Sequence, residues 1–447
     1  MDNRHARHTP KIDPGSRAPK APLGFVNAES SSNPAGDEWS AAGLPAPDMD
    51  IVRAYRLERI RAQLRDRDFG GCLLYDPLNL RYALDATNMQ IWTMHNAVRY
   101  AYVATDGPVI LFDFHACEHL SEDYPVIDET RPAVAWFYFG AGQNEMARVT
   151  DWAAEIADLI STHGGGNKRL AIDTCDQNGI SALEAHGIEC HSSFAFCEEA
   201  RKIKHPEELK AMRRSILTSE IGAGEMWHAL KPGITENQLW SILHQVNIAR
   251  GGEWIETRLL ASGERTNPWM QECSDRVIGP GDTVGFDTDL VGPYGYCSDI
   301  SRTWICPGGT PTNEQLSNHA MGMDQIAHNA ELIKPGLSFF DFAARGYTLP
   351  EDYFPQRYGV VVHGVGLCDE YPAIAYPTPT SPGAYDGTFE EGMCICVETY
   401  IGRVGGQSGC KMERQGVVTA TGFEFFDTFP LDLTPDVDAW RDNVGIA

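Results

Sequence analysis

The sequence is short of basic residues: 36 lysines and arginines face 62 aspartates and glutamates, which gives a net charge of −26 over 447 residues. A charge of this sign opposes any broad attraction to nucleic acid phosphates or anionic lipids. The sequence also lacks an apolar run approaching the roughly 18 residues that a membrane span needs. Its first twenty residues contain no apolar stretch of the kind found in secretory signals. We therefore expect a soluble protein that binds neither nucleic acid nor membranes.

Disulfide and zinc patterns are missing as well. The twelve cysteines include no CxxC pair and no regular spacing of a disulfide framework. Cys394 and Cys396 are two positions apart on one face of an expected strand, which favours packing over zinc binding. These features indicate a reducing, cytoplasmic environment.

The length of the chain predicts two domains. Residues 1–50 are rich in Pro, Ala, Ser and Gly without periodicity and are expected to form an irregular arm. Residues 51–197 alternate helical and strand patterns, including an apolar strand pattern over residues 71–84, and predict a smaller α/β domain. Residues 198–447 mix long helices with strands separated by turns, which predicts an α+β domain.

Acidic residues occur in several strands that otherwise have a buried, apolar pattern. A single strand carboxylate usually caps a turn or lies on a solvated face, but an unpaired carboxylate in a buried strand is costly. Asp287 and Asp289 alternate with Thr288, so their side chains are expected on one strand face. The convergence of several such residues indicates a metal site. The candidate ligands are Asp287, Asp289, Asp299, His363, Glu398 and Glu413.

Five converging carboxylates need positive charge. Arg302 and Arg403 are each able to neutralise one, whereas two divalent cations neutralise four. Oxygen ligands with one imidazole suit iron, manganese, cobalt or zinc, and the thiolate pattern of structural zinc sites is missing. The sequence therefore predicts a pair of divalent metal ions.

The order Asp, Asp, His, Glu, Glu on strands resembles the family of methionine aminopeptidase, prolidase and creatinase. The resemblance implies the pita-bread fold for the metal domain, preceded by a creatinase-like N-terminal domain, and it extends from about residue 52 to 430. The segments that carry it are GFDTDLVGPYGYCSDISRTW, VVHGVGLCDEYP, EEGMCICVETYIG and GCKMERQGVV.

Two departures separate this sequence from the peptidases of that family. Trp269 stands where they place a loop histidine, and Asp369, followed by Glu370, stands where they place a second histidine. These changes, with Tyr358 and the doubled aspartate, resemble a divergent branch of the family, the bacterial dimethylsulfoniopropionate lyases of the DddP type. The resemblance implies a homodimer, a bound metal pair that is iron, and cleavage of dimethylsulfoniopropionate to dimethyl sulfide and acrylate.

That cleavage is a β-elimination, which needs a base, an electrophile for the substrate carboxylate and a place for the sulfonium cation. Asp369 is the candidate base, and Tyr358 is expected to position it or the substrate by hydrogen bonding. A sulfonium accepts no hydrogen bond and is best met by aromatic faces, each contributing about 0.5–2 kcal/mol. The candidates are Trp269, Tyr371 and Trp92, each with core packing as the alternative.

Two other functions stay open at this point. One is a prolidase-like or creatinase-like metallohydrolase that cleaves a C–N bond. The other is a non-catalytic binding protein on the same fold, although such a protein would have little reason to keep five clustered carboxylates.

Overall fold

A computed structural model describes residues 33, 35–376 and 384–446 of the protein. The chain divides into two compact units, of which the first contains Asp48–Arg201. The second contains residues 35–47 together with the chain from Lys202 onward. Most of the expected irregular arm lies outside the described residues.

The described part of that arm contains a helix, which corrects the expectation of irregular structure. Helix α1 spans Ala35–Ala41. Its Trp39 is 2% exposed, and the Arg214 guanidinium lies 4.5 Å from the centre of the indole ring. Burial of one large aromatic side chain is enough to fix this short helix on the second unit, and a composition rich in small residues gives no sign of it.

The first unit is a six-stranded mixed sheet with helices. Its strand order is β4-β3-β2-β1-β5-β6, in which β1 pairs antiparallel with β2 and parallel with β5. The strands are β1 (Gly71–Leu74), β2 (Tyr100–Ala104), β3 (Val109–Asp113), β4 (Glu129–Pro132), β5 (Arg169–Ile172) and β6 (Glu189–Ser192). The helices are α2 (Met49–Asp66), α3 (Pro77–Leu84), α4 (Gln90–His95), α5 (Tyr138–Ala141), α6 (Glu145–His163), α7 (Gln177–Ala185) and α8 (Phe194–Arg201).

The strand pattern expected over residues 71–84 is wrong in its second half. The strand ends at Leu74, and α3 begins at Pro77. The Asp76 carboxylate accepts hydrogen bonds from the backbone N–H groups of Leu78 and Asn79, which caps the new helix. An aspartate cap followed by proline at the first helical position overrides the apolar pattern.

The second unit is built around a large antiparallel sheet. Its order is β13-β12-β14-β15-β11-β8-β7, with β16 paired to β15, and a separate ribbon joins β9 to β10. The strands are β7 (Leu260–Ser262), β8 (Thr283–Asp287), β9 (Leu290–Val291), β10 (Cys297–Ser298), β11 (Ser301–Ile305), β12 (Val362–Val365), β13 (Asp369–Ile374), β14 (Cys394–Gly402), β15 (Gly409–Thr419) and β16 (Gly422–Phe425).

Five further helices belong to this unit, and α11 packs over β14 and β15. They are α9 (Pro206–Ala229), α10 (Glu236–Ala249), α11 (Asn313–Leu332), α12 (Phe339–Arg345) and α13 (Val437–Val444). Across residues 35–376 and 384–446, no helix combines the length and the apolarity that a bilayer crossing requires.

One buried carboxylate on α9 is hydrogen-bonded to a segment near the C-terminal end of the chain. Glu220 is 2% exposed, and its Oε1 accepts hydrogen bonds from the backbone N–H groups of Thr428 and Phe429. Burial, reinforced by the nearby charge of Asp427, raises the pKa of Glu220 from 4.5 to about 7. The folded protein therefore keeps this proton to a higher pH than the unfolded chain does.

This difference predicts a pH-dependent loss of stability. Between pH 4.5 and 7 the unfolded chain releases the Glu220 proton while the folded chain holds it, so the stabilisation disappears as the pH rises through the folded pKa. Glu220→Gln keeps the acceptor oxygen and removes the titration. We expect the unfolding free energy of the native protein to fall relative to this variant by up to about 3 kcal/mol between pH 5 and pH 8.

Urea unfolding of both proteins at the two pH values measures this change. An unchanged difference between native protein and variant would show that Glu220 does not titrate in this range.

Candidate metal centre

The carboxylates predicted from the sequence meet at the middle of the large sheet. Asp287 ends β8, and Ser301 on β11 lies opposite both Asp287 and Glu413. Glu398 on β14 is paired directly with Glu413 on β15. All these residues are buried. The register of four neighbouring strands therefore concentrates negative charge at one place in the core.

His363 reaches the same place from β12. Its Nε2 lies 3.0 Å from Glu413 Oε1 and 3.6 Å from oxygens of both Asp299 and Glu398. Its Nδ1 lies 3.1 Å from the carbonyl oxygen of Gly364. A backbone carbonyl that accepts from Nδ1–H turns Nε2 toward the carboxylates, which is the orientation of histidines that bind metals. Burial opposes protonation of His363, but Asp369, Glu413 and Glu398 raise its pKa well above the ordinary value.

Asp289 joins the cluster through a turn and not through strand alternation, which corrects the geometric reason given for it. Strand β8 ends at Asp287, and Asp289 has a positive φ of 36°. Thr257 Oγ1 donates a hydrogen bond of 2.7 Å to Asp289 Oδ2. A left-handed backbone at a residue other than glycine costs roughly 1–2 kcal/mol, so surrounding contacts must hold it. Burial and the neighbouring Asp287 raise the pKa of Asp289 to about 8.

Two overlapping groups have ligand atoms that all lie within 4.8 Å of one another, and Asp299 belongs to both. The first group contains Asp299, His363, Cys396 and Glu413, and the second contains Asp287, Asp289 and Asp299. Cys396 was expected only to pack, yet its thiol borders the first group and donates to the carbonyl oxygen of Asp299 at 3.7 Å. The shared aspartate places two candidate cation positions side by side.

Lys411 is the residue that the sequence analysis missed. Its side chain is 0% exposed, and its Nζ lies 3.0 Å from Asp287 Oδ2, 2.9 Å from Glu398 Oε2 and 2.7 Å from Glu413 Oε2. It also donates to Ser301 Oγ at 2.9 Å. Burial alone would lower the pKa of Lys411, but the three carboxylates raise it well above the ordinary value. Its position two residues before Glu413, on the same strand face, was the available signal.

Neither of the two arginines considered as partners of the carboxylates is placed to neutralise the cluster. Arg302 forms a buried ion pair of 2.7 Å with Asp427, and Arg403 is exposed. The expectation that they neutralise the cluster is wrong, because Arg302 pairs with Asp427 and Arg403 lies in the exposed turn after β14.

The residues present fit divalent cations. Glu398 Oε1 is buried and has no hydrogen-bond partner among the residues that the structure describes. Burial raises the pKa of Glu398 to about 8, although Lys411 opposes this. Glu413 differs, because Lys411 and His363 outweigh its burial and hold its pKa far below the ordinary value. Five buried carboxylates, one of which keeps a bare oxygen, beside one imidazole form a donor set that suits hard or borderline divalent ions.

Asp369 lies at the other nitrogen of the imidazole. Its Oδ1 is 3.4 Å from His363 Nδ1, and its side chain is 59% exposed. Partial burial raises the pKa of Asp369, while His363 opposes that shift. Glu370 takes a different direction and forms a buried ion pair of 2.6 Å with Lys204. This pair holds the start of β13 and leaves Asp369 free to face solvent beside the histidine.

The predicted aromatic residues occupy three different environments. Trp269 is 7% exposed and lies in a small apolar cluster with Tyr358 packed against it. The Tyr358 ring centre is 4.6 Å from Lys411 Nζ, so Tyr358 borders the carboxylate cluster. Tyr371 stacks on Tyr385, with ring centres 5.5 Å apart.

Trp92 belongs to the first unit, on α4. Its ring centre lies 5.5 Å from that of Phe114 and 6.3 Å from that of Phe137. The substrate-binding roles of Trp269, Tyr371 and Trp92 stay predictions.

Comparison with known proteins places these residues in a family context. The model of metallopeptidase family M24 matches residues 210–420. The chain is 41% identical over 443 residues to the protein of Roseovarius nubinhibens named dimethylsulfoniopropionate lyase DddP, covering 96% of this chain and 98% of that one. It is 39% identical over 439 residues to the protein of the same name from Roseobacter denitrificans, with the same coverage of 96% and 98%.

Solved structures agree on the architecture. The Xaa-Pro dipeptidase from Bacillus anthracis matches with a TM-score of 0.68 at 22% identity, over 85% of this chain and 98% of that one. The prolidase from Pyrococcus horikoshii matches with a TM-score of 0.66 at 17% identity, over 85% of this chain and 99% of that one. The predicted pita-bread fold with an N-terminal domain is confirmed.

The shared position of Asp299 predicts the effect of metal on stability. We expect Mn²⁺ added to chelator-treated protein to raise the melting temperature, because an ion at a hundredfold excess over its Kd adds about 2.7 kcal/mol to the free energy of unfolding. Asp299→Asn removes a charge from both cation positions and should give less than half of that rise. Differential scanning calorimetry with and without Mn²⁺ measures both.

Asp324→Asn, an exposed change on α11, is the matched control and should respond like the native protein. An equal rise in the Asp299 variant would mean that Mn²⁺ binds elsewhere.

Proposed function

We propose that this chain, which belongs to the DddP family of dimethylsulfoniopropionate lyases related to metallopeptidase family M24, cleaves dimethylsulfoniopropionate to dimethyl sulfide and acrylate. Nearly full-length identity of about 40% to two proteins of that name supports this activity. The observation that carries the proposed mechanism is the place of Asp369, 3.4 Å from the imidazole of His363, beside the carboxylate cluster.

The reaction needs one base and a substrate that is held in the correct position. Asp369 takes a proton from the carbon next to the substrate carboxylate. The electron pair of that C–H bond forms the C=C bond of acrylate, and the bond from the β-carbon to sulfur breaks. Its electron pair leaves with sulfur as neutral dimethyl sulfide, so no oxidant or water is consumed. A proton then passes from Asp369 to solvent, which its exposed side chain permits.

Asp369 suits this role better than an ordinary aspartate. Partial burial raises its pKa, which makes its carboxylate a stronger base near neutral pH. The neighbouring imidazole of His363 opposes that rise. Burial and the imidazole therefore shift the pKa of Asp369 in opposite directions, whereas a free carboxylate in water experiences neither effect.

The proposed metal ligands are Asp287, Asp289, Asp299, His363, Glu398 and Glu413. Divalent ions held there would supply an electrophile for the substrate carboxylate, which makes the adjacent C–H bond more acidic. Tyr358, half-buried and next to Lys411, is proposed to orient the substrate at this edge of the site.

The sulfonium end of the substrate needs a cation site without hydrogen bonds. Trp269 is the strongest candidate, since it is packed with Tyr358 beside the cluster. Tyr371 and Trp92 are proposed as further aromatic contacts, each able to contribute about 0.5–2 kcal/mol.

We propose further that the metal is iron, that the protein is a cytoplasmic homodimer and that its ligand is a small sulfonium compound. No disulfide joins any of the twelve cysteines, all of which lie in the described parts of the chain, and this supports a reducing compartment. Iron and the dimer rest on the resemblance to this family. Elemental analysis and sedimentation velocity of freshly purified protein test them.

The activity test compares a base variant with a ligand variant. Headspace gas chromatography should detect dimethyl sulfide from the native protein supplied with dimethylsulfoniopropionate. Asp369→Asn should lower kcat by roughly 10²–10⁴-fold with metal content unchanged, because it removes the base and keeps the shape of the side chain. Asp299→Asn should lose both activity and metal. Elemental analysis of the same samples separates the two effects.

Two results would contradict this proposal. Native protein with full metal content that releases no dimethyl sulfide but hydrolyses Xaa-Pro dipeptides would be a peptidase, as the solved structures with this fold are named. An Asp369→Asn variant that keeps the native rate would assign the base to another residue.

A further inference from the structure

The strongest feature outside the proposed chemistry is the ammonium group of Lys411. It occupies the interior of the sheet, fully excluded from solvent. Its Nζ contacts one oxygen of each of three carboxylates at 2.7–3.0 Å, those of Asp287, Glu398 and Glu413. Ser301 Oγ completes its surroundings at 2.9 Å, together with the face of the Tyr358 ring. No substrate step assigned above uses this charge.

Lys411 contacts one of the two oxygens of each of these carboxylates. On Glu398, Oε2 faces Lys411, whereas Oε1 is buried without a hydrogen-bond partner in the described parts of the chain. On Glu413, Oε2 faces Lys411 and Oε1 faces His363. On Asp287, Oδ2 faces Lys411 and Oδ1 accepts from Ser301. The ammonium therefore holds one oxygen of each group, and of the three second oxygens only Glu398 Oε1 has no hydrogen-bond partner in the described parts of the chain.

The net formal charge of the cluster follows from its members. Five carboxylates are grouped there, from Asp287, Asp289, Asp299, Glu398 and Glu413, and one ammonium lies among them. Metal binding requires ionised carboxylates and a neutral imidazole, and in that state five negative charges and one positive charge leave −4, which two divalent cations neutralise. Without Lys411 the same two cations would leave the core with a surplus negative charge.

The two kinds of cation also compete. An ammonium group that touches three of the five carboxylates lies within a few ångströms of any metal ion that the same carboxylates bind, and like charges at that range repel strongly in a buried site. The same ammonium stabilises the cluster most when no other cation is present, because an unpaired buried carboxylate is costly.

We propose that Lys411 is a built-in counter-cation of the metal centre. It stabilises the cation-free cluster, sets the remaining charge to match two divalent ions and makes their binding weaker than five uncompensated carboxylates would make it. The inference rests on the metal centre of the proposed function but not on the lyase reaction. Lys411 is a positioning residue, since it acts through the carboxylates.

The test measures metal affinity in full-length protein stripped with a chelator. Mn²⁺ alone is titrated calorimetrically into the native protein and into Lys411→Met, which removes the charge and keeps a side chain of similar length. We expect the variant to melt at a lower temperature without metal and to bind Mn²⁺ at least tenfold more tightly. Lys411→Arg, which keeps the charge, should bind Mn²⁺ within about threefold of the native Kd.

Two further variants control for effects of the substitutions on stability and folding. Lys204→Met breaks another buried lysine–carboxylate pair, with Glu370, and should lower stability without tightening Mn²⁺ binding. Lys411→Gln removes the charge but keeps an N–H donor, and it should fold with saturating Mn²⁺ even if Lys411→Met does not.

Neutral variants that bind Mn²⁺ as weakly as the native protein, or more weakly, would overturn the proposal. So would failure of both neutral variants to fold with saturating Mn²⁺, because metal charge must be able to replace the ammonium. A protein without lyase activity would leave this comparison intact, so the two proposals fail separately.

Discussion

Compensation of buried charge is the constraint on which the second unit depends. Its central strands place Asp287, Glu398 and Glu413 where water cannot solvate them, and Lys411 is the partner that the chain itself supplies. Breaking a buried ion pair by removing one member usually costs about 3–5 kcal/mol, far more than the pair is worth on balance. Removing the ammonium would therefore leave three buried carboxylates without the cation that the chain supplies.

His363 connects that buried cluster to the solvent side of the site. The pairing of β12 with β13 shifts register between His363 and Gly364, so the hairpin has a bulge next to the residue that carries the imidazole. One ring nitrogen faces the carboxylates and the other faces Gly364 and Asp369. A bulge commonly redirects a side chain in this way. One imidazole thus joins the buried carboxylates to the exposed side chain of Asp369.

The sequence predicted much of this arrangement, because carboxylates in apolar strands are rare enough to stand out. It identified Asp299, Glu398 and the other ligand candidates, and the structure brings them together. It failed where one local contact outweighs a pattern: the cap at Asp76 turns an apolar run into a helix, and burial of Trp39 orders a segment of small residues. Lys411 was missed because lysines are almost never fully buried, so a lysine in a strand does not by itself predict an ammonium group in the core.

The pairing of β14 with β15 has a consequence for the geometry of the site. Glu398 and Glu413 are exact cross-strand neighbours, and the hairpin joins them through the short turn after Gly402. Sheet side chains alternate between faces, so a slip of this pairing by one residue would send one glutamate to the opposite face. The register of a single hairpin therefore decides whether two of the proposed ligands face the same cation.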